Sequence, residues 1–241
     1  MTTPLGDSVN QPSAQPPTPK KLQGRTIDLI HLSPSHTEAL WSLVGGTSDP
    51  TKASAWTYLP EGPYPETDFD KFQVSVTTKC NSTDPLFYAI VDKTQKVLGW
   101  ITLMSIVPEQ LRLEIGWVLF SPALQRTTGA SEASYLLLKY AFEELGYRRV
   151  EWKCNALNKG SRRAAERLGF VFEGVFRQHM VVKGRNRDTA WFSMLREEWD
   201  GRGVKEALEG WLAEDNFDES GAQRRGLEAI REELLGKSTK N

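Results

Sequence analysis

The sequence predicts an α+β fold: a three-layer α/β sandwich whose mixed, mostly antiparallel sheet carries helices on both faces. Three observations carry that expectation. Segments 86–91, 97–107 and 111–120 are apolar or alternating and are joined by short polar turns, so they read as an antiparallel meander. A helix ending at Gly146 and a strand at 147–154 follow, and a strand–helix–strand run sets its two strands parallel across a crossover. Helical patterns occur both before and after the meander, which gives cover to both faces of a sheet.

Taken in order, residues 1–23 carry Pro4, Pro12, Pro16, Pro17 and Pro19 among polar neighbours and read as a disordered tail. Residues 26–32 alternate as a first strand, which Pro34 stops. Ser35 followed by Glu38 has the pattern of a capping box. It opens a helix with Leu40, Leu43 and Val44 as its stripe and Gly45-Gly46 as its end. Residues 55–64 place Trp56, Tyr58 and Tyr64 among Pro and Gly, as a loop pinned by its own aromatics or as one wall of a substrate pocket. A second helix follows with Thr67 and Asp70 near its start and Phe69, Phe72 and Val76 as its buried face.

In the last strand of the meander, Leu111, Leu113, Ile115 and Trp117 share one face, and Arg112, Glu114, Gly116 and Val118 the other. A glycine inside a strand weakens it unless it marks a bulge or a close backbone approach. The turn 121–131 then runs straight into a helix, and its small residues leave backbone N–H groups free to meet an anion. That helix carries Leu138, Ala141, Phe142 and Leu145 on one face. Strand 147–154, a short helix 161–168 stopped by Gly169, and a hairpin turning through Lys183-Gly184-Arg185-Asn186-Arg187 complete a domain over 24–199. Residues 200–241 form a charged helical C-terminal extension. Val204, Ala207, Leu208, Trp211 and Leu212 make one apolar face there, and Leu227, Ile230, Leu234 and Leu235 another; such helices pack back or meet a partner.

The 241 residues can bury a full core, and a formal net charge of −1 gives no polycationic surface for nucleic acid or anionic membrane. No apolar run approaches the roughly 18–20 residues of a membrane span, and no secretion-signal pattern opens the chain. Cys80 and Cys154 lie far apart without metal-ligand spacing and read as free thiols of a reducing compartment. The expectation is a cytoplasmic protein with no membrane contact, no direct nucleic-acid binding and no metal.

Three motifs stand in register over this frame. They are Glu114-Ile115-Gly116, Arg126-x-x-Gly129-x-Ser131, and Asn158-x-x-Ser161-x-x-x-x-Glu166-x-x-Gly169-Phe170 with Glu173-Gly174 just beyond. The span from Thr26 to about Trp199 that contains them resembles the GNAT superfamily of N-acyltransferases, most of all the branch of the ribosomal-protein N-acetyltransferases RimJ and RimL. The resemblance implies acetyl-CoA, or another short acyl-CoA, with its pyrophosphate on Arg126, Thr127, Thr128, Gly129, Ala130 and Ser131. It implies a pantetheine arm paired with the backbone of Trp117, Val118 and Leu119, and Asn158 donating to that arm from the next helix. Capping of that helix by Asn158 and Ser161 is the plain alternative.

The implied reaction is direct attack of an amine on the thioester. Glu114 is the leading base, against an alternative in which it only pairs with Arg112 or Arg177. The tyrosine that many members use as the acid is absent, with Ala165 at its place, and Ser161 is the nearest replacement. Trp56, Tyr58, Trp152 and His179 are the candidates for the acceptor side. The basic run 183–187 is an exposed tip or a steering element for an acidic or RNA-associated acceptor. The acceptor is an amine on a protein N-terminus or a small molecule, and a homodimer is one allowed assembly. A non-catalytic acyl-CoA sensor is the alternative function.

Overall fold

The alternating segments become the middle of one sheet in a computed structural model that describes residues 5–238. Its eight strands are β1 (Leu22–Gln23), β2 (Ile27–His31), β3 (Leu86–Asp92), β4 (Val97–Val107), β5 (Arg112–Phe120), β6 (Arg149–Asn155), β7 (Val171–Val182) and β8 (Arg185–Leu195). They lie in the order β1-β2-β3-β4-β5-β6-β8-β7, and β5–β6 is the parallel pair among antiparallel neighbours. Between β2 and β3 come α1 (Thr37–Val44), α2 (Pro50–Ser54) and α3 (Phe69–Cys80). The crossover from β5 to β6 is α4 (Thr128–Lys139), continued by a π-turn over Tyr140–Glu144. Then come α5 (Lys159–Leu168) between β6 and β7, and α6 (Arg196–Gly201), α7 (Val204–Leu212) and α8 (Leu227–Ser238) after β8.

Strand alternation splits the apolar side chains into two cores. Leu113, Ile115, Leu137, Phe142, Trp152, Leu168 and Trp211 pack between the sheet and α4, α5 and α7. On the other face Leu40, Val44, Trp56, Phe72, Val76, Phe87, Trp100 and Leu119 pack under α1 and α3. Each fully buried side chain of this size contributes about 1.5–3 kcal/mol. The cluster beneath α1 and α3 includes no residue of β6, β8 or β7, so that half of the same sheet face is left without helical cover.

Four expectations need correction. The tail does not stay disordered over its described part. Ala14 and Gln15 donate backbone N–H groups to Pro108 O and Leu145 O at 3.0 and 2.8 Å, and Thr18 O accepts from Tyr88 at 3.0 Å. Backbone groups and one small buried side chain, Ala14, hold this strap, which is why a search for large apolar residues misses it. Residues 1–4 lie outside the described residues. The first cap is Ser33, not Ser35. Pro34 starts a 3-10 turn, Ser33 Oγ accepts from Ser35 N–H at 3.2 Å, and His36 Nδ1 accepts from Ser33 N–H at 3.1 Å. The last hairpin turns on two residues, since Lys183 and Gly184 both hold positive φ (50° and 70°) and let β8 start at Arg185. The C-terminal helices pack back on α4 and α5, with Leu227 and Ile230 buried, but Leu235 stays 43 % exposed and off that face.

Candidate active site

The parallel pair β5–β6 holds at one end only. Its register runs from Arg112↔Arg149 to Ile115↔Trp152 and stops, while residues 117–120 continue without a strand partner on that flank. The cause lies on the opposite flank of β5. Thr102 pairs with Gly116 and Trp100 with Leu119, so Trp117 and Val118 together face Ile101 in a bulge, with Trp117 at φ 44°. An extra residue bends its strand and ends regular pairing. Such a φ costs a non-glycine residue about 1–3 kcal/mol and persists only under surrounding contacts. Here Trp100 Nε1–H donates to Trp117 O at 3.0 Å, and the Trp117 and Phe87 ring centroids are 5.5 Å apart. At Gly116 a Cβ would stand 2.6 Å from Met104 Sδ and 3.1 Å from Glu114 Oε1, so a side chain there would displace the Met104 thioether. The bulge also corrects the expected alternation: it turns Trp117 off the Leu113–Ile115 face and onto the α1–α3 side.

The strand ends in a turn that runs straight into α4. Arg126 holds φ 62°, and Thr127 Oγ1 caps α4, accepting from Ala130 N–H at 3.4 Å. With Ala130 N–H taken by that cap, the N–H groups of Thr128 and Gly129 head a twelve-residue helix, with about half a positive charge at that end. Gly129 is buried, and its lack of a side chain serves the packing of α4 while its backbone N–H stays in the first turn. A Cβ there would come 2.9 Å from Ile27 Cγ2 and 3.3 Å from Leu124 Cδ1, so this glycine lets α4 lie against β2. Glu132, unremarked in the sequence, pins the same contact. Its buried carboxylate accepts from the backbone N–H groups of Arg25, Thr26 and Ile27. Ser131 Oγ accepts from Arg167 Nη1 at 2.8 Å and ties α4 to α5.

Asn158 and Ser161 open α5. Asn158 Oδ1 accepts from Ser161 N–H at 3.1 Å, as a cap should, and the side-chain Nδ2 of Asn158 has no partner among the described residues. Ser161 Oγ accepts from Trp152 Nε1–H at 3.0 Å, and its own hydroxyl is in hydrogen-bond reach of the Cys154 thiol.

Glu114 points to the opposite face and is 5 % exposed. Its expected partners, Arg112 or Arg177, are replaced by Lys153. Parallel register sets Glu114 directly against Glu151, and Lys153 Nζ bridges the two, 2.9 Å from Glu114 Oε2 and 2.8 Å from Glu151 Oε2. Ser105 Oγ donates to the same Oε2 at 3.1 Å, so Glu114 Oε1 accepts no hydrogen bond among the described residues. Burial is the largest influence on Glu114 and pushes its carboxyl above the usual range against the pull of Lys153. For Glu151 the same burial is outweighed by Lys153 and Arg149, which hold it below that range.

The acceptor candidates separate. Trp56 is fully buried in the α1–α3 core, with Nε1–H on Val44 O at 2.8 Å, and walls no pocket. Trp152 lies on the helix side of the sheet, where it holds Ser161. Tyr58 is exposed at the loop surface and bonds Leu157 O at 3.2 Å. Lys183 donates to Trp56 O at 2.7 Å, so one residue of the basic tip is committed to this loop. His179 shares 3.0 Å with Thr189 Oγ1 and meets Phe176 and Trp191. Those two rings lie 4.6 Å apart, and Lys153 Nζ stands 4.1 Å over Trp191. Lys153, Trp191 and Phe176 escaped the sequence reading. The signal for Lys153 was its place on the opposite strand face from Trp152.

Comparison with known proteins agrees with this geometry. Residues 27–171 match the acetyltransferase (GNAT) domain model. A GCN5-related N-acetyltransferase of Brucella melitensis superposes with a TM-score of 0.86 at 42 % identity, over 92 % of this chain and 99 % of that one. The uncharacterised N-acetyltransferase YnaD of Bacillus subtilis (strain 168) is 30 % identical over 154 residues, 64 % of this chain and 86 % of its own. YdaF of the same organism, whose name suggests a ribosomal N-acetyltransferase, is 34 % identical over 104 residues, 43 % of this chain and 56 % of its own. With its motifs set around one parting of β5 from β6, the chain belongs to the GNAT family and is an N-acetyltransferase of that type.

Proposed function

We propose that the enzyme transfers acetyl from acetyl-CoA to the α-amine of a peptide or protein N-terminus, with Glu114 as base and Ser161 as proton donor. The observation that carries this reading is the parting of β5 and β6 just beyond Ile115–Trp152. Glu114 Oε1 and the Ser161 hydroxyl then stand on opposite faces of the sheet at that gap.

The residues present fit the coenzyme. An amide-bearing arm needs a strand edge with unpaired backbone groups, and residues 117–120 offer one. A pyrophosphate needs convergent N–H donors, which the first turn of α4 offers beside Arg126. Asn158, with its side-chain Nδ2 unengaged, would donate to the arm. When bound, acetyl-CoA supplies an acetyl group activated as a thioester.

Glu114 Oε1 takes the proton that the amine loses as nitrogen bonds to the acetyl carbon. As the carbon–sulfur bond breaks, the Ser161 hydroxyl gives its proton to sulfur. A thiol is acidic enough that this help can be modest. A peptide is favoured over a small amine because the acceptor face is an open strand surface bearing Phe176, His179 and Trp191, not a closed cavity. The ribosomal activity suggested by the name of YdaF points the same way.

The test is a thiol-release screen of acetyl-CoA and succinyl-CoA against peptide N-termini, polyamines and amino acids. Turnover on peptides with the acetyl donor is expected, and Glu114→Gln should lower it by about 100-fold or more at unchanged acetyl-CoA affinity. Release with small amines alone would overturn the acceptor, and failure of every amine to stimulate release would leave an acyl-CoA sensor.

A further inference from the structure

We infer that Lys153 is a positioning residue for the reaction: its ammonium aims the Glu114 carboxylate into the gap and keeps it charged there. This rests on the reading of Glu114 as the base.

Four observations carry it. Lys153 lies one residue past the last β5–β6 pair, at the mouth of the gap, and points to the Glu114 side of the sheet. Its ammonium touches Glu114 Oε2, Glu151 Oε2 and the Trp191 ring, which leaves it no freedom to swing into solvent. It bonds the same oxygen as Ser105, so both donors hold Oε2 and leave Oε1 for the amine. Without it, Glu114 and Glu151 would face each other across the pair as two buried carboxylates, an arrangement in which one of them takes up a proton. A protonated Glu114 cannot act as a base.

The charged groups around Glu114 come from several strands. Arg112, on β5 with Glu114, stands 3.9 Å from Glu151 of β6, and Arg149 of β6 bonds Glu151 and, on β7, Glu173. Arg112 is turned to Glu151 and Gln110, and Arg149 to Glu151 and Glu173. Lys153 is the cation in contact with Glu114. Ser105 and Trp191 carry no charge, and the titratable His179 of β7 meets the Trp191 ring and hydrogen-bonds Thr189.

The experiment is the pH dependence of kcat/KM on the peptide acceptor for the wild type and for Lys153→Met, Lys153→Gln, Lys153→Arg and Glu114→Gln, with acetyl-CoA affinity and melting temperature measured on each. Lys153→Met should move the acid limb upward by about one pH unit or more. Activity should then be lost by roughly tenfold per unit below the limb and largely recovered above it. Lys153→Arg should keep the limb near its wild-type place. Lys153→Gln, which retains a donor but no charge, should move the limb with a smaller loss of the plateau rate.

A wild-type limb in both neutral variants, or a loss equal at every pH, would overturn the inference. If Lys153→Met does not fold, Lys153→Gln makes the same measurement. The two readings fail differently. A limb that survives in Glu114→Gln removes the base itself, whereas a limb abolished by Glu114→Gln but unmoved by the lysine variants removes Lys153 alone.

Discussion

At the scale of single residues, Gly129 and Glu114 show two different demands that a sequence motif places on the fold. Gly129 belongs to the anion turn by motif, yet its absent side chain leaves room for Ile27 and Leu124. Gly129→Ala should therefore cost about 1–3 kcal/mol of stability, the usual price of overpacking, read as a lower melting temperature without coenzyme. An unchanged melt would mean that the contact with Ile27 and Leu124 has room for a methyl group. Glu114 was visible in advance because strand alternation set it beside Gly116. Lys153 was not, because its meeting with Glu114 depends on the register of two strands that are distant in sequence. Trp56 misled for a related reason. Aromatics among Pro and Gly look alike whether they line a pocket or fill a core, and only its full burial separates the two.

At the scale of elements, the loop over 55–64 shows how an irregular segment is held. Glu61 accepts from Tyr64 and Ser75 at 2.7 Å each and from Lys79 of α3 at 2.9 Å, while the Lys79 ammonium lies over Phe87, Trp100 and Trp117. Burial works to raise the Glu61 carboxyl, and the Lys79 ion pair with the hydroxyl donors outweighs it, so the group ionises below its usual range. A depressed carboxyl contributes its stability above the unfolded-state value, near pH 4.5, and loses it as pH falls through the folded value. Lys79→Met should destabilise by about 2–4 kcal/mol at neutral pH, the range for stranding one partner of a buried pair less the partial exposure of Glu61. The gap from wild type should narrow as pH falls below about 4.5. Denaturant melts at pH 7 and pH 3.5 check both the size and the sign. The elements themselves were legible, since period-2 and period-3.6 patterns locate β2 to β8 and α1, α3, α4 and α5. The strap before β1 was not, because it is held by backbone donors at 14, 15 and 18, and no side-chain period reports those.

At the scale of the whole molecule, the family model ends at residue 171, while the fold continues through β8 and the three C-terminal helices. Trp211 and Leu208 of α7 close the core under α4, and Tyr135 of α4 donates to Glu209 at 3.0 Å. The extension is thus part of the domain rather than an appendage. The gap between β5 and β6 has a kinetic consequence. On the proposed reading, the coenzyme would enter from the side of α4 and α5 and the acceptor from the uncovered face of β6, β8 and β7, so that neither would block the other's way in or out. Both can be held together at one opening through the sheet. Initial-rate lines for varied acetyl-CoA at several fixed peptide concentrations should therefore intersect. Parallel lines would mean that the acetyl group rests on the protein between two separate visits.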